Sequence, residues 1–182
     1  MYKFVNETGY TKISVWKEEN PIPYQSENTM EFVIDGDDTE WYEGTLCVEA
    51  QLNVWHASNY AMLCVKYTKT HSDKTEVIIH KGLCGDADSS ELFRNTAIVG
   101  LDDEFAQAVK DYFLLQPHNR IPCGRIEISG AYDEMGSSNA SFRNVMNLLT
   151  YIFCNETRLD EDGFGEDLFQ QIREYWKLFK ET

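Results

Sequence analysis

Residues 101–142 read LDDEFAQAVKDYFLLQPHNRIPCGRIEISGAYDEMGSSNASF, and the punctuation of this stretch decides the fold. Asp102 and Asp103 place negative charge where the N-terminus of a helix favours it. Phe105, Val109, Tyr112 and Phe113 then fall on one helical stripe. Pro117 and Pro122 end that helix, because proline lacks the amide proton and restricts the residue before it. A strand over Arg125–Ser129 follows. Ser137-Ser138-Asn139 has the composition of an N-cap and opens a second helix, with Phe142, Val145, Met146, Leu149, Ile152 and Phe153 on its apolar face.

Upstream, the period changes from helical to two. Over Thr45–Trp55, Leu46, Val48, Ala50, Leu52 and Val54 alternate with Cys47, Glu49, Gln51 and Asn53, which predicts a strand buried on the first set's face. His56-Ala57-Ser58-Asn59 turns the chain into a second strand, Tyr60–Thr68, and Glu76–His80 reads as a third, giving an antiparallel meander. Residues 82–100, rich in Gly, Asp and Ser, read as irregular. Residues 1–44 read as an extension of short strands and turns, with a turn at Asp35-Gly36-Asp37-Asp38. Downstream of an acidic loop, Leu168, Ile172, Tyr175, Trp176 and Phe179 predict a third amphipathic helix. Strands followed by mixed helices and strands imply a single α+β domain over 1–182: a two-layer unit with an antiparallel-rich sheet, a core at 45–155, and an acidic loop and helix at 156–182.

The order of these elements resembles the fourth domain of translation elongation factor G over residues 40 to 155. Glu104-Phe105-Ala106-Gln107-Ala108-Val109 looks like that family's helix motif, Gly130-Ala131-Tyr132 like its strand-end turn, and Ser137 to Phe142 like the start of its last helix. The resemblance implies the fold and association with the ribosome or a translation factor. The departures bear on function. The family's exposed tip histidine aligns with Asp133, followed by Glu134, and its helix-opening aspartate aligns with Gly136. A group suited to RNA phosphates is replaced by carboxylates.

The 182 residues carry 31 acidic and 16 basic side chains, a formal net charge of -15, and the basic residues form no run. Such a chain repels phosphate backbones, so direct nucleic-acid binding is disfavoured and a basic protein partner is favoured; acidity can equally serve solubility alone. The five cysteines are widely spaced without a C-x-x-C pair, which fits neither a zinc site nor a secreted disulfide framework. Cys47 and Cys64 lie inside strand-like runs and read as free apolar thiols, which implies a reducing, cytoplasmic setting. No stretch approaches the roughly 18 apolar residues of a membrane span.

Chemical motifs are sparse. There is no phosphate-binding G-x-x-x-x-G-K-[ST] and no G-x-S-x-G elbow. His56, His71, His80 and His118 form no helical metal pair, and Asp160-Glu161-Asp162-Gly163 lacks the spacing of a calcium loop. Ser137 and Ser138 can bind an anion or simply cap a helix. No cofactor, metal or catalytic residue is assigned. The profile is similar to anti-CRISPR and other mobile-element antidefence proteins: small, acidic and without a catalytic signature. It implies a non-enzymatic inhibitor that occludes the basic groove of a Cas nuclease or another nucleic-acid-handling enzyme. The expected contact residues are Asp102, Asp103, Tyr132, Asp133, Glu134, Asp160, Glu161 and Asp162, converging on one end of the fold, with Asp86, Asp88, Phe93 and Phe164 as further candidates. The last helix either covers the sheet or builds a homodimer.

Overall fold

The computed structural model describes residues 1–22, 26–54, 57–86, 92, 97–115 and 120–178, with backbone alone at 53–54, 57–58, 83–86 and 176–178. Nine strands and three helices form an α+β domain: β1 (Tyr2–Val5), β2 (Lys12–Lys17), β3 (Thr29–Asp35), β4 (Gly44–Val54), β5 (Ala57–Lys69), β6 (Lys74–His80), β7 (Gly82–Asp86), β8 (Ile98–Leu101), α1 (Asp103–Leu115), β9 (Gly124–Tyr132), α2 (Asn139–Cys154), a 3-10 turn (Glu156–Arg158) and α3 (Phe164–Leu178). The main sheet runs β1-β2-β4-β5-β9-β6-β3, and β8 pairs with both β7 and β9. All pairings are antiparallel except β6 with β9.

The period-two reading of the long hairpin holds on the helix-facing side. Leu46, Val48, Ala50 and Leu52 of β4 lie in register with Val65, Leu63, Ala61 and Asn59 of β5, and the apolar members are buried in the main core. On the other side the reading is corrected. Cys47 and Glu49 are fully buried too, because Trp16, Ile22, Tyr60, Met62, Leu92, Ala97 and Ala131 form a second, smaller core on that face. Cys47 and Cys64 are register partners with Cα atoms 4.0 Å apart, and they are joined as a disulfide. The free-thiol reading is therefore overturned, and the inference of a reducing compartment loses its basis. Cys123 and Cys154 are free.

Three topological expectations also change. The meander stops after two strands: β9 inserts between β5 and β6, antiparallel to one and parallel to the other. Residues 82–86 and 98–101, expected to be irregular, pair as β7 and β8. The N-terminal stretch is part of the sheet, since β2 pairs with β4 and β3 with β6. Local periodicity marks a strand but does not select its neighbour, which depends on contacts distant in sequence.

The helices follow their sequence signals. Asp102 Oδ1 accepts the Phe105 amide at the start of α1, whose Phe105, Val109, Tyr112 and Phe113 are buried. Ser138 is the N-cap of α2 and forms a capping box with Ser141. Ser137 Oγ donates to Tyr60 O and accepts the Asp133 amide, so both hydroxyls are committed to capping and turn geometry. On α3, Phe164, Leu168, Phe169, Ile172 and Tyr175 are buried in the main core, where the helix packs on α2 and Phe164 meets Phe4 of β1. The side chain of Trp176, and residues Phe179, Pro117, His56, His118, Asp88 and Phe93, lie outside the description, as does the Asp86 side chain.

Gly130 lies inside β9 rather than in a strand-end turn. A Cβ there would stand 2.7 Å from Met62 O and within 2.9 Å of methyl groups of Leu101 and Leu63. Since the β5 backbone cannot yield without breaking its ladder, Gly130→Ala is expected to destabilise the fold by about 1–3 kcal/mol. A lower urea midpoint at unchanged m-value is the expected readout, and an unchanged midpoint would refute the packing argument.

Candidate functional site

The eight sequence-predicted contact residues do not meet at one place. Phe105 packs on Tyr132 (5.1 Å between ring centroids) and on Phe142 in the first turn of α2 (4.6 Å), which puts Asp102, Asp103, Tyr132, Asp133 and Glu134 near the N-terminal end of that helix. Asp160, Glu161 and Asp162 follow the 3-10 turn beyond its C-terminal end. The 16 residues of α2 separate the groups by about 24 Å.

Several of the eight have local duties. Tyr132 is buried, and burial, with Asp102 and Glu134 nearby, pushes its phenol pKa up. Asp133 is also buried; its Oδ1 accepts the Met135 amide and its carbonyl those of Gly136 and Ser137. Asp102 caps α1, Asp103 pairs with Lys81 at 2.6 Å, and Glu161 pairs with Arg158 at 2.8 Å. Glu134, Asp160 and Asp162 are exposed, and Asp160 Oδ2 accepts the Tyr2 hydroxyl at 3.5 Å.

A denser acidic surface lies at the C-terminal end of α2, on the loop joining β3 to β4. Asp37, Asp38, Glu40 and Glu43 are exposed there within seven residues. Two neighbouring cavities, about 500 and 540 Å³, share the Asp37–Glu40 segment. Trp41 and Tyr67 line the first, and Arg120 and Cys154 the second. Among the described residues none of the four carboxylates is in an ion pair; Asp37 Oδ1 accepts the Thr39 amide and Glu43 Oε1 the Lys69 amide. The last turn of α2 carries no basic residue. Its negative dipole end therefore adds to the field of the loop, with Arg120 of the second cavity as the cation beside it.

The loop is held rigidly for a reason that can be traced bond by bond. Four consecutive carbonyls before β9 are each taken up. Arg120 O accepts Trp41 Nε1 (3.1 Å), Ile121 O the Asp37 amide (2.8 Å), Pro122 O the Thr75 hydroxyl (2.6 Å) and Cys123 O the Tyr67 hydroxyl (2.9 Å). Gly36 lets the chain pass close by, since a Cβ there would lie 2.7 Å from Cys123 Cα. Trp41 stacks on Phe153 of α2 at 4.7 Å and 13° and meets Tyr67 edge-on. Sequence reasoning read this loop only as a turn. Its signal was present as four acids around a tryptophan, DDTEWYE over 37–43, directly after an apolar strand.

The described residues assemble no catalytic constellation. Among them no serine or threonine hydroxyl and no cysteine thiol is hydrogen-bonded to a histidine ring, His80 Nδ1 meeting only the backbone carbonyl of Ser26, and no group of three or more metal-ligating side chains forms. No described helix is long and apolar enough to cross a membrane. No family model, curated protein or solved structure matches this chain.

The far side of the acidic loop is tied to β2. Glu18 Oε1 accepts the Tyr42 hydroxyl at 2.6 Å and the Thr45 amide at 3.0 Å. The Tyr42 bond, followed by that from Thr45, holds the Glu18 carboxyl below its ordinary 4.5, while Glu18 pushes the Tyr42 phenol up to about 12. A lowered carboxyl pKa adds stability above the unfolded value and loses it as pH falls through the folded one; a raised phenol pKa adds stability below its unfolded value and loses it as pH rises toward the folded one. The link thus contributes between these limits. Tyr42→Phe is expected to be less stable than the parent at pH 7, with the difference shrinking in acid as Glu18 protonates. Urea melts at pH 7 and in acid check this, and a difference independent of pH would refute it.

Proposed function

We propose that this chain is a non-enzymatic inhibitor of a nucleic-acid-handling enzyme, anti-CRISPR-like in its mode of action, which lays its acidic surface into the basic groove of a Cas nuclease or similar protein. The 37–43 cleft is the observation that carries this reading. Four exposed carboxylates without ion pairs among the described residues, over an aromatic floor and beside the C-terminal end of α2, form a surface suited to lysine and arginine side chains. Opposed charge accelerates docking, and a groove filled by carboxylates no longer receives phosphates. The aromatic floor supplies contact area that charge alone lacks. In this reading the contact centre moves from the α1/β9 loops to the β3–β4 loop, with Asp160 and Asp162 extending it along the same end of α2. A cytoplasmic setting follows from the proposed partner and not from cysteine usage.

The elongation factor G resemblance supports a second proposal, a translation-associated protein docked on the ribosome through a basic ribosomal protein. Its support is the succession of α1, β9 and α2 with the Ser138 cap at the resembled position.

A purified panel of Cas nucleases, mixed with the protein at low and high salt, tests the first proposal. Cleavage is expected to be inhibited at low salt and restored at high salt. Asp38→Lys with Glu40→Lys is expected to weaken inhibition by roughly tenfold or more, while Glu134→Lys at the opposite end leaves it unchanged. If no nuclease is inhibited and the protein instead sediments with ribosomes, the second proposal replaces the first. Equal effects of both sets of substitutions would remove the cleft as the contact site.

A further inference from the structure

The disulfide on the second face of the sheet stands beside an opening that the charge-based reading does not use. Cys64 is on β5, with Cys47 of β4 as its register partner on one side and Ser129 of β9 on the other. A cavity of about 150 Å³ reaches Cys64 and is walled by Glu127, Ile128 and Ser129 of β9, Lys66 of β5 and His80 of β6, with Thr45 of β4 and Asn20 completing it. These β9 and β6 walls lie on the side of Cys64 away from Cys47. Displacement at a disulfide sulfur requires the incoming sulfur to reach it, and this cavity opens onto Cys64. Cys47, by contrast, is fully buried and is not among the residues that line this cavity.

The surroundings suit the chemistry. His80 Nδ1 lies 3.0 Å from Ser26 O, which only accepts, so Nδ1 carries a proton and Nε2 is the nitrogen at which the ring can take up or release one. Among the described residues Nε2 is buried without a hydrogen-bond partner, 3.9 Å from Glu127 Oε2. Lys66 adds a positive charge at the mouth, which favours a thiolate. The other redox state is also accommodated. Cys47 Sγ lies 3.3 Å from Glu19 O, and Cys64 Sγ lies 3.2 Å from Asn20 Oδ1. A cystine sulfur has no proton to donate to these oxygens, whereas two thiols do.

We propose that Cys47–Cys64 is an exchangeable cystine, reached by a small thiol through the Lys66–His80 cavity and attacked at Cys64. The incoming thiol gives its proton to His80 Nε2, and the imidazolium is held by Glu127. The thiolate sulfur bonds to Cys64 Sγ as the S–S bond breaks, and Cys47 leaves as a thiolate that takes a proton from water while His80 gives its own up to water. A second thiol molecule then attacks the mixed disulfide, releasing Cys64 as a thiol and the two small molecules as their disulfide. The protein gains two electrons and two protons, and two small thiols are oxidised to one disulfide.

Reduced glutathione, added to the folded, non-reduced full-length chain and followed by acid quench and site-resolved peptide mass spectrometry, tests this. A transient glutathione adduct is expected on Cys64 and not on Cys47, followed by a gain of two hydrogens across the pair. His80→Gln and Lys66→Ala are each expected to slow adduct formation by about threefold or more, while alkylation of Cys154, distant from the cavity, proceeds at the parental rate. Should either variant fail to fold, the site of the adduct in the parent decides the matter alone. An adduct on Cys47, reaction only after unfolding in urea, or no mass gain on reduction of the starting protein would each overturn the proposal.

Discussion

The fold depends on the position of β9. Its backbone bonds to β5 on one side and to β6 and then β8 on the other, so a strand late in the chain holds together elements formed much earlier. Gly130 is the close-packing point of that insertion, where Met62 O and two leucine methyls leave no room for a side chain. Once β9 is in place, the chain before it must run along the ends of β5 and β6. Its carbonyls at 120–123 are then satisfied by Trp41, Asp37, Thr75 and Tyr67. The acidic loop is thus positioned by the same constraint that completes the sheet.

This arrangement also distributes charge. α2 lies across the sheet with its capped N-terminus beside Asp133 and its C-terminus beside Trp41 and Cys154. Carboxylates near the first end are largely spent on capping, turns and an ion pair with Lys81, where a helix N-terminus already stabilises them. Those of residues 37–43 face a helix C-terminus, where the dipole opposes negative charge and makes a cationic ligand more welcome. A net charge of -15 therefore has a direction in this fold that composition alone does not reveal.

The second face of the sheet carries a separate consequence. Burial on both sides of β4 and β5 turns polar-register positions into interior ones, and this places Glu49 beside the Tyr60 hydroxyl and Cys47 against Cys64. Alternation predicted one wet face. Ile22, Leu92 and Ala97 help supply the cover instead, and nothing in the local pattern of β4 signals that they lie against it.

What the sequence determined by itself was local: the α+β class, the long hairpin, the two capped helices and the apolar stripe of α3, because periods of 2 and 3.6 and the capping serines act over a few residues. Of the site it showed only ingredients, such as DDTEWYE after an apolar run. The tertiary structure alone decided that β9 separates β5 from β6, that two acidic groups read as one lie at opposite ends of α2, and that two cysteines 17 residues apart face each other as a disulfide. These are relations between distant segments, set by strand register and by where the chain must return to satisfy its buried backbone.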